Sequence, residues 1–162
     1  MSAPTQEPLS WRALQWIKAR MATVTPDAGY YSDFSDAGPV RLLDDRTQIT
    51  AEDGPYVLVV GTDFEPGTES GTRNRTVYRE DMDVLIEFGV ARDPALSPEL
   101  AIHRARTDVL RVLRQDIRAA DAGITQIQIT GSTLGDAPDG AALLIAQVTA
   151  RASLTDTTPP AS

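Results

Sequence analysis

The clearest regularity along the chain is the alternation of apolar and polar residues over positions 78–90. Apolar side chains occupy even positions and charged side chains odd ones: Tyr78, Met82, Val84, Ile86, Phe88 and Val90 against Arg79, Asp81, Asp83 and Glu87. A period of two predicts a long β-strand with one face on the core and the other in water. Glu80 breaks the apolar face near the start, where we expect the strand to extend beyond the core.

Four further segments have strand character. They are a short stretch at Val40 to Leu43, the β-branched run PYVLVVGT at 55–62, and the alternating runs ITQIQIT at 124–130 and LLIAQVTARASL at 143–154. β-Branched residues favour strands. The segment 62–75, TDFEPGTESGTRNR, is rich in glycine, serine and charge. It is predicted to be a mobile loop.

Two amphipathic helices are predicted from apolar residues recurring at spacings of three and four. The first follows Ser10, a candidate cap, and carries Leu14, Ile17, Met21 and Val24 before Pro26 stops it. The second starts at Ser97-Pro98-Glu99, a typical helix start, and carries Ile102, Ala105, Val109, Leu113 and Ile117. The predicted fold is therefore α+β: a single mostly antiparallel or mixed sheet of four to five strands with two helices packed on it.

The domain organisation follows from length and composition. The chain has 162 residues, of which 41% are hydrophobic, enough for one domain with a real core. We expect a single domain over 1–154, with a flexible N-terminus at 1–8 and a disordered tail at 155–162. No apolar run is long enough for a membrane span. The start MSAPTQEP lacks signal-peptide features, and with no cysteine there is no disulfide framework, so we expect synthesis in the cytoplasm.

The charge distribution is uneven. Residues 25–72 carry ten acidic side chains against Arg41 and Arg46, while the rest of the chain is balanced and the net charge is -8. An acidic surface does not attract phosphate backbones, so a duplex-binding role is disfavoured. The simplest interpretation of the acidic stretch is a set of solvated loops.

The search for catalytic or metal-binding motifs yields no active site. His103 is the single histidine, and its helix neighbours Glu99 and Thr107 are ordinary contacts one turn away. The run EDMD at 80–83 has carboxylates suited to Mg²⁺ or Ca²⁺, but a wet strand face explains them more simply. The second helix is rich in arginine, with Asp108 and Asp116 interleaved, which favours a salt-bridged surface or a subunit interface. The residues thus favour a structural or interaction protein without an obvious active site.

The order of several segments along the chain is typical of one known family. The opening LQWIKARMATVTPDAGYYSDF, the strands PYVLVVG and YREDMDVLIEFGVAR, the turn and helix RDPALSPELAIHRARTDVLRVL, and the closing GITQIQITGSTLGDAPDGAALLIAQVTARASL appear in that order. This pattern resembles the tail terminator proteins of long-tailed phages, the lambda-type minor tail protein U group. It covers roughly 9–154 and departs from the family in the acidic insert at about 35–54.

The resemblance implies a structural virion protein at the neck end of the tail, made and assembled in the host cytoplasm. It implies a hexameric ring that caps the tail tube, stops its polymerisation and forms the surface for head-to-tail joining. The partners would be other copies of the chain, the tail tube protein and a head-completion or neck protein. DNA would pass through the ring without specific binding, and no catalysis, cofactor, metal or membrane would be involved.

The resemblance leads to expectations about surfaces. We expect one of Tyr30 and Tyr31 to be buried and the other to lie at a subunit interface, because aromatic residues with a polar tip suit interfaces. The residues expected at the subunit or tube interface are Tyr31, Arg73, Arg75, Arg79, Arg106 and Arg114. The acidic stretch would line the lumen and repel DNA, with Asp44, Asp45, Glu52 and Asp53 as the candidate carboxylates.

Three alternatives remain open from the sequence. The first is another neck or head-completion adaptor of the same particle, which would share the small fold and the lack of chemistry. The second is a metal-dependent hydrolase domain that uses the carboxylates of Glu80 to Asp83. The third is a free-standing ligand-binding domain with a deep apolar pocket.

Overall fold

The computed structural model describes residues 7–49, 54–67, 70–72, 75–115, 123–135 and 143–156. The helices and strands in these ranges are α1 (Leu9–Met21), β1 (Arg41–Leu43), β2 (Tyr56–Pro66), β3 (Ser70–Thr72), β4 (Arg75–Ala91), α2 (Pro98–Leu113), β5 (Ile124–Leu134) and β6 (Leu143–Asp156). Single 3₁₀ turns lie at Pro26–Ala28 and Arg46–Gln48.

Five strands form one mixed sheet in the order β1-β2-β4-β6-β5, and β3 pairs with β4 near one end. β1 runs parallel to β2, and the other described pairings are antiparallel. Both helices pack their apolar residues against the same face of this sheet. The predicted α+β class, with one mixed sheet and two helices, is confirmed.

The long alternating strand is β4, which has 17 residues and lies in the middle of the sheet. Its even residues form the centre of the core under the helices: Met82, Val84, Ile86 and Phe88 are buried. Because side chains alternate across a strand, its odd residues point to the opposite face, which we call the open face. Glu87 lies on that open face and yet is only 9% exposed.

The structure differs from the loop predicted at 62–75. β2 continues to Pro66 opposite Glu80, and Ser70–Thr72 pairs with the first residues of β4. Composition predicted a loop because glycine, serine and acidic residues disfavour strands, but pairing with the long partner strand overrides that preference. A register shift between Gly61 and Asp63 marks where β2 passes beyond the core. Residues 68, 69, 73 and 74 lie outside the described residues.

The ends of the domain also differ in part from the sequence prediction. Thr155 and Asp156, expected in a disordered tail, pair with Arg79 and Tyr78 as the last residues of β6. Residues 1–6 and 157–162 lie outside the described residues.

One of the two helix caps predicted from the sequence is present in the structure. Ser97 caps α2 as expected, since its Oγ accepts the backbone N–H of Leu100 at 3.2 Å. The cap predicted at Ser10 is wrong, because α1 already begins at Leu9 and Pro8 precedes it without a side-chain cap.

Candidate functional site

Side chains on one face of α2 form hydrogen bonds with the segment that follows α1. The carboxylate of Asp108 accepts the backbone N–H of Tyr31 at 3.2 Å and of Ser32 at 2.8 Å. Asp108 is fully buried, so this carboxylate holds the chain from inside the fold. One turn further along α2, Arg111 donates to the carbonyl oxygen of Gly29 at 2.9 Å. Positions 108 and 111 share a helix face, so they act on the same short segment.

The two tyrosines of this segment have different environments. Tyr30 is 8% exposed, with the Arg111 guanidinium 4.7 Å from its ring centroid and Gln115 donating to its hydroxyl. Tyr31 is 60% exposed, and the Arg104 guanidinium lies 5.0 Å from its ring centroid. The division into one buried and one exposed tyrosine is confirmed, and the interface role of Tyr31 stays a prediction.

A cavity of about 330 Å³ opens beside Tyr31, between the segment at 31–40, the end of β4 and the start of α2. Its floor is apolar, with contributions from Phe88, Val90 and Ala101. Arg104 and Tyr31 stand at the wall that α2 and the segment share. Tyrosine and arginine are the residue types enriched at protein–protein interfaces. The arrangement suits the binding of an apolar side chain from another protein.

Of the predicted interface arginines, the structure describes the side chains of Arg79, Arg106 and Arg114. Arg79 is exposed near the start of the core-spanning part of β4, and Arg114 is exposed at the end of α2. Arg106 donates to Ser132 Oγ of β5 at 2.8 Å, so it is used within the chain. Arg75 begins β4, and Arg73 lies outside the described residues.

The predicted lumen carboxylates are partly used within the fold. Asp44 accepts hydrogen bonds from Lys18 at 3.2 Å and from Gln15 at 3.3 Å, which ties the chain after β1 to α1. Burial raises the pKa of the Asp44 carboxyl, but these bonds and the charge of Lys18 outweigh burial, so the pKa lies below its ordinary value. Asp45 accepts the backbone N–H of Thr47 and caps the 3₁₀ turn. Glu52 and Asp53 lie outside the described residues.

The open face carries a polar row that the sequence pattern does not predict. Glu87 accepts a hydrogen bond from the Tyr56 hydroxyl at 3.0 Å and another from Gln147 Nε2 at 2.8 Å. Burial, the charge of Glu87 and this bond raise the pKa of Tyr56 to about 12. Further along the same face, Arg151 pairs with Asp83 at 3.0 Å and with Glu65 at 3.3 Å. These contacts link β2, β4 and β6 side by side.

The remaining candidates for chemistry have plain structural roles. His103 lies 3.0 Å from Glu99 on the exposed side of α2. Within the described ranges no three carboxylates or imidazoles gather as a metal ion would require. Within the EDMD run, the carboxylate of Asp83 forms an ion pair with Arg151. Neither helix in the part of the chain that the structure describes is long and apolar enough to cross a membrane.

Comparison with known proteins gives a structural relative. No family model matches the chain, and no curated protein matches it. One solved structure with the same fold is the sheath/tube terminator of an extracellular contractile injection system, PVC, in its extended state, determined by cryo-EM. The TM-score is 0.52 at 13% identity, and the match covers 99% of this chain. This chain spans 60% of the length of that terminator, with which it shares the fold.

Proposed function

We propose that this protein is a structural tail terminator that caps a tail tube as a ring. The observation that carries the proposal is the shared fold, because nearly the whole chain superimposes on a protein described as a sheath/tube terminator. The order of sequence segments that resembles phage tail terminators points the same way. In this role the chain has no enzymatic activity and needs no cofactor.

The ring is the central part of the proposal. Six copies would close into a cyclic assembly at the end of the tube, stop its polymerisation and present a surface to a head-completion or neck protein. A cyclic ring needs two different complementary patches on each chain. The exposed Tyr31 beside its cavity is one candidate patch. Arg73, Arg75, Arg79 and Arg114 remain candidates for contacts with the tube.

The proposed position of the acidic stretch needs one adjustment. Asp44 is paired with Lys18 and Asp45 caps a turn, so neither is a free lumen group. An acidic lumen that lets DNA slide would then depend on the net charge of the stretch and less on these two carboxylates. The location we propose for the working protein is the neck end of a tail particle, with assembly in the host cell before release.

The experiment that tests the function uses tube polymerisation. The tube protein of the same particle is allowed to polymerise with and without the purified chain, and tube lengths are measured by electron microscopy. A terminator shortens the tubes in proportion to its concentration and appears as extra density at one end only. An acidic protein of similar mass is the control. Tubes of unchanged length with bare ends would refute the proposal.

A further inference from the structure

β5 forms one outer edge of the sheet, and within the described residues its only strand partner is β6. This edge is 11 residues long, from Ile124 to Leu134. On the side away from β6, no described strand or turn forms hydrogen bonds with its backbone N–H and C=O groups. A row of such groups is a template on which another strand can pair.

β5 lacks the features by which proteins usually keep a strand edge single. Those features include charged side chains, proline and very short strand length. The segment Ile124–Leu134 contains no charged residue and no proline. Among the described strands of more than three residues, it is the one without a charge. Its exposed side chains are threonine, glutamine and serine.

The opposite edge of the sheet has these protective features. β1 covers β2 only along Tyr56–Leu58, and the uncovered part of β2 carries Asp63, Glu65 and Pro66. The exposed Phe64 lies between the two acidic residues. Charge and proline therefore protect the β2 edge against pairing, whereas the β5 edge is open to it.

A second copy of β5 fits this edge best in one register. Register shifts lie on both sides of residues 126–129, so regular pairing is limited to that stretch. An antiparallel pair about a two-fold axis at Gln128 places Ile127 of each copy opposite Ile129 of the other. Moving the axis by one residue leaves one Ile–Ile pair instead of two. Cross-strand pairs of β-branched residues stabilise sheets, and both isoleucines are half-buried on the helix-bearing face.

The charges around β5 permit this approach. The chain has a net charge of -8, so two copies meet at least cost where the surface is uncharged. Arg106 lies over β5 and donates to Ser132 Oγ at 2.8 Å. The β6 partners of Gln128 and Ser132 are three residues apart. At a rise of about 3.3 Å per residue, the two copies of Arg106 would be anchored about 20 Å apart. Physiological salt screens charges at that separation.

We propose that β5 of one copy pairs antiparallel with β5 of a second copy, about a two-fold axis at Gln128. The partner is thus a second copy of this chain, and the two sheets continue into each other. A two-fold contact uses the same patch on both chains, so it is distinct from the heterologous contacts of the ring proposed above. No residue of β5 lines the cavity beside Tyr31, so the two kinds of contact do not compete for one surface.

Single cysteines test this contact directly, because the chain has no cysteine of its own. Gln128→Cys places two thiols opposite each other across the axis. The Cα atoms there would be about 4.5–5.5 Å apart, within the range of a disulfide. Gln126→Cys is the matched control, since it replaces an exposed glutamine on the same face of the same strand. Its two copies would be about 10–13 Å apart, too far for a disulfide.

The readout is the yield of disulfide-linked dimer under mild oxidation, measured by non-reducing electrophoresis. We expect a dimer from Gln128→Cys and at least about tenfold less from Gln126→Cys. Adding Tyr31→Ala to the Gln128→Cys chain should leave the yield unchanged, because Tyr31 lies outside this contact. No dimer from Gln128→Cys, an equal yield from Gln126→Cys, or a dimer lost with Tyr31→Ala overturns the proposal.

Discussion

The buried carboxylate of Asp108 accepts the backbone N–H of Ser32 at 2.8 Å, and this bond joins α2 to a segment 76 residues earlier in the chain. The same carboxylate also accepts the N–H of Tyr31. The segment after α1 therefore has a defined course, although a short 3₁₀ turn at Pro26–Ala28 is its only helix before β1. It positions Tyr31 beside the cavity.

Removing this carboxylate should destabilise the fold strongly. Asp108→Ala leaves two backbone donors without their acceptor, and we expect a loss of about 3 kcal/mol in the free energy of unfolding. Urea unfolding followed by circular dichroism measures it. The control is Thr107→Ala, because Thr107 is exposed and donates only to the carbonyl of His103 in its own helix. That variant should stay within about 0.5 kcal/mol of the wild type. Equal losses in both would contradict the anchoring role.

The Tyr56–Glu87 hydrogen bond should make the free energy of unfolding depend on pH in the alkaline range. The pKa of Tyr56 is raised to about 12 from 10.0, so its contribution is fully present below pH 10 and is lost as pH rises toward 12. Tyr56→Phe removes the hydroxyl that donates a hydrogen bond to Glu87, at a cost of about 1.5–3 kcal/mol near neutral pH. The measurement is the unfolding free energy of both proteins from pH 8 to 12. The difference between them should shrink over pH 10–12, and parallel curves would argue against the pair.

The Lys18–Asp44 ion pair should make the free energy of unfolding depend on pH in the acidic range. The pKa of Asp44 is below its ordinary value of 3.8, so the contribution is present above that pH and is lost as pH falls through the folded-state pKa. Both side chains are about a quarter exposed, so Asp44→Asn should cost less than about 1 kcal/mol at pH 7. Unfolding curves at pH 7 and pH 2.5 should show that difference disappearing in acid. Asp36→Asn, at an exposed position, is the control and should show no such change.

Gly89 should not tolerate a side chain. A Cβ there would lie 2.7 Å from Cε1 of Tyr56 and 3.2 Å from Cδ1 of Leu143. Gly89→Ala must displace the ring of Tyr56, whose hydroxyl is hydrogen-bonded to Glu87. We expect a loss of about 1–3 kcal/mol in the free energy of unfolding, measured by thermal or urea unfolding. Gly131→Ala is the milder comparison, since its nearest neighbour is the Thr149 hydroxyl at 3.2 Å. If the two substitutions cost the same, the Tyr56 ring is not the constraint.

Tyr31→Ala should separate folding from assembly. The side chain is mostly exposed, so losing its stacking with Arg104 should cost no more than about 1 kcal/mol of stability. Self-association, measured by light scattering across protein concentration, should nevertheless weaken at least about tenfold. Tyr78→Ala provides the matched comparison. A Tyr31→Ala protein that associates as the wild type does would remove Tyr31 from the interface.

The central strand and α2 could be predicted because their signals are local. Alternation along β4 and the Ser97-Pro98-Glu99 start need only neighbouring residues to be recognised. The mixed sheet with two helices on one face follows from the order of such elements.

The polar contacts could not be predicted because their partners are distant in the chain. In the sequence, Glu87 resembles the other charged, solvent-facing residues of β4. Its partners Tyr56 and Gln147 are 31 and 60 residues away, so no local pattern reveals them. Asp108 looks like a surface charge among arginines, although its partners are backbone amides 76 and 77 residues earlier. Likewise, the strand character of 62–66 comes from pairing with β4 and not from its composition. The cavity forms only where three such separate segments meet.

The length of β4 sets a measuring scale for any assembly built from this chain. The level of Phe64 and the level of the cavity are both fixed on the same strand, so hydrogen-bonded sheet and not loop determines their spacing. The register shift between Gly61 and Asp63 already absorbs one extra residue of β2, so Phe64 keeps the face of its pairing partner Met82. The paired strands, and not a flexible linker, therefore set how far a contact at Phe64 lies from a contact at the cavity.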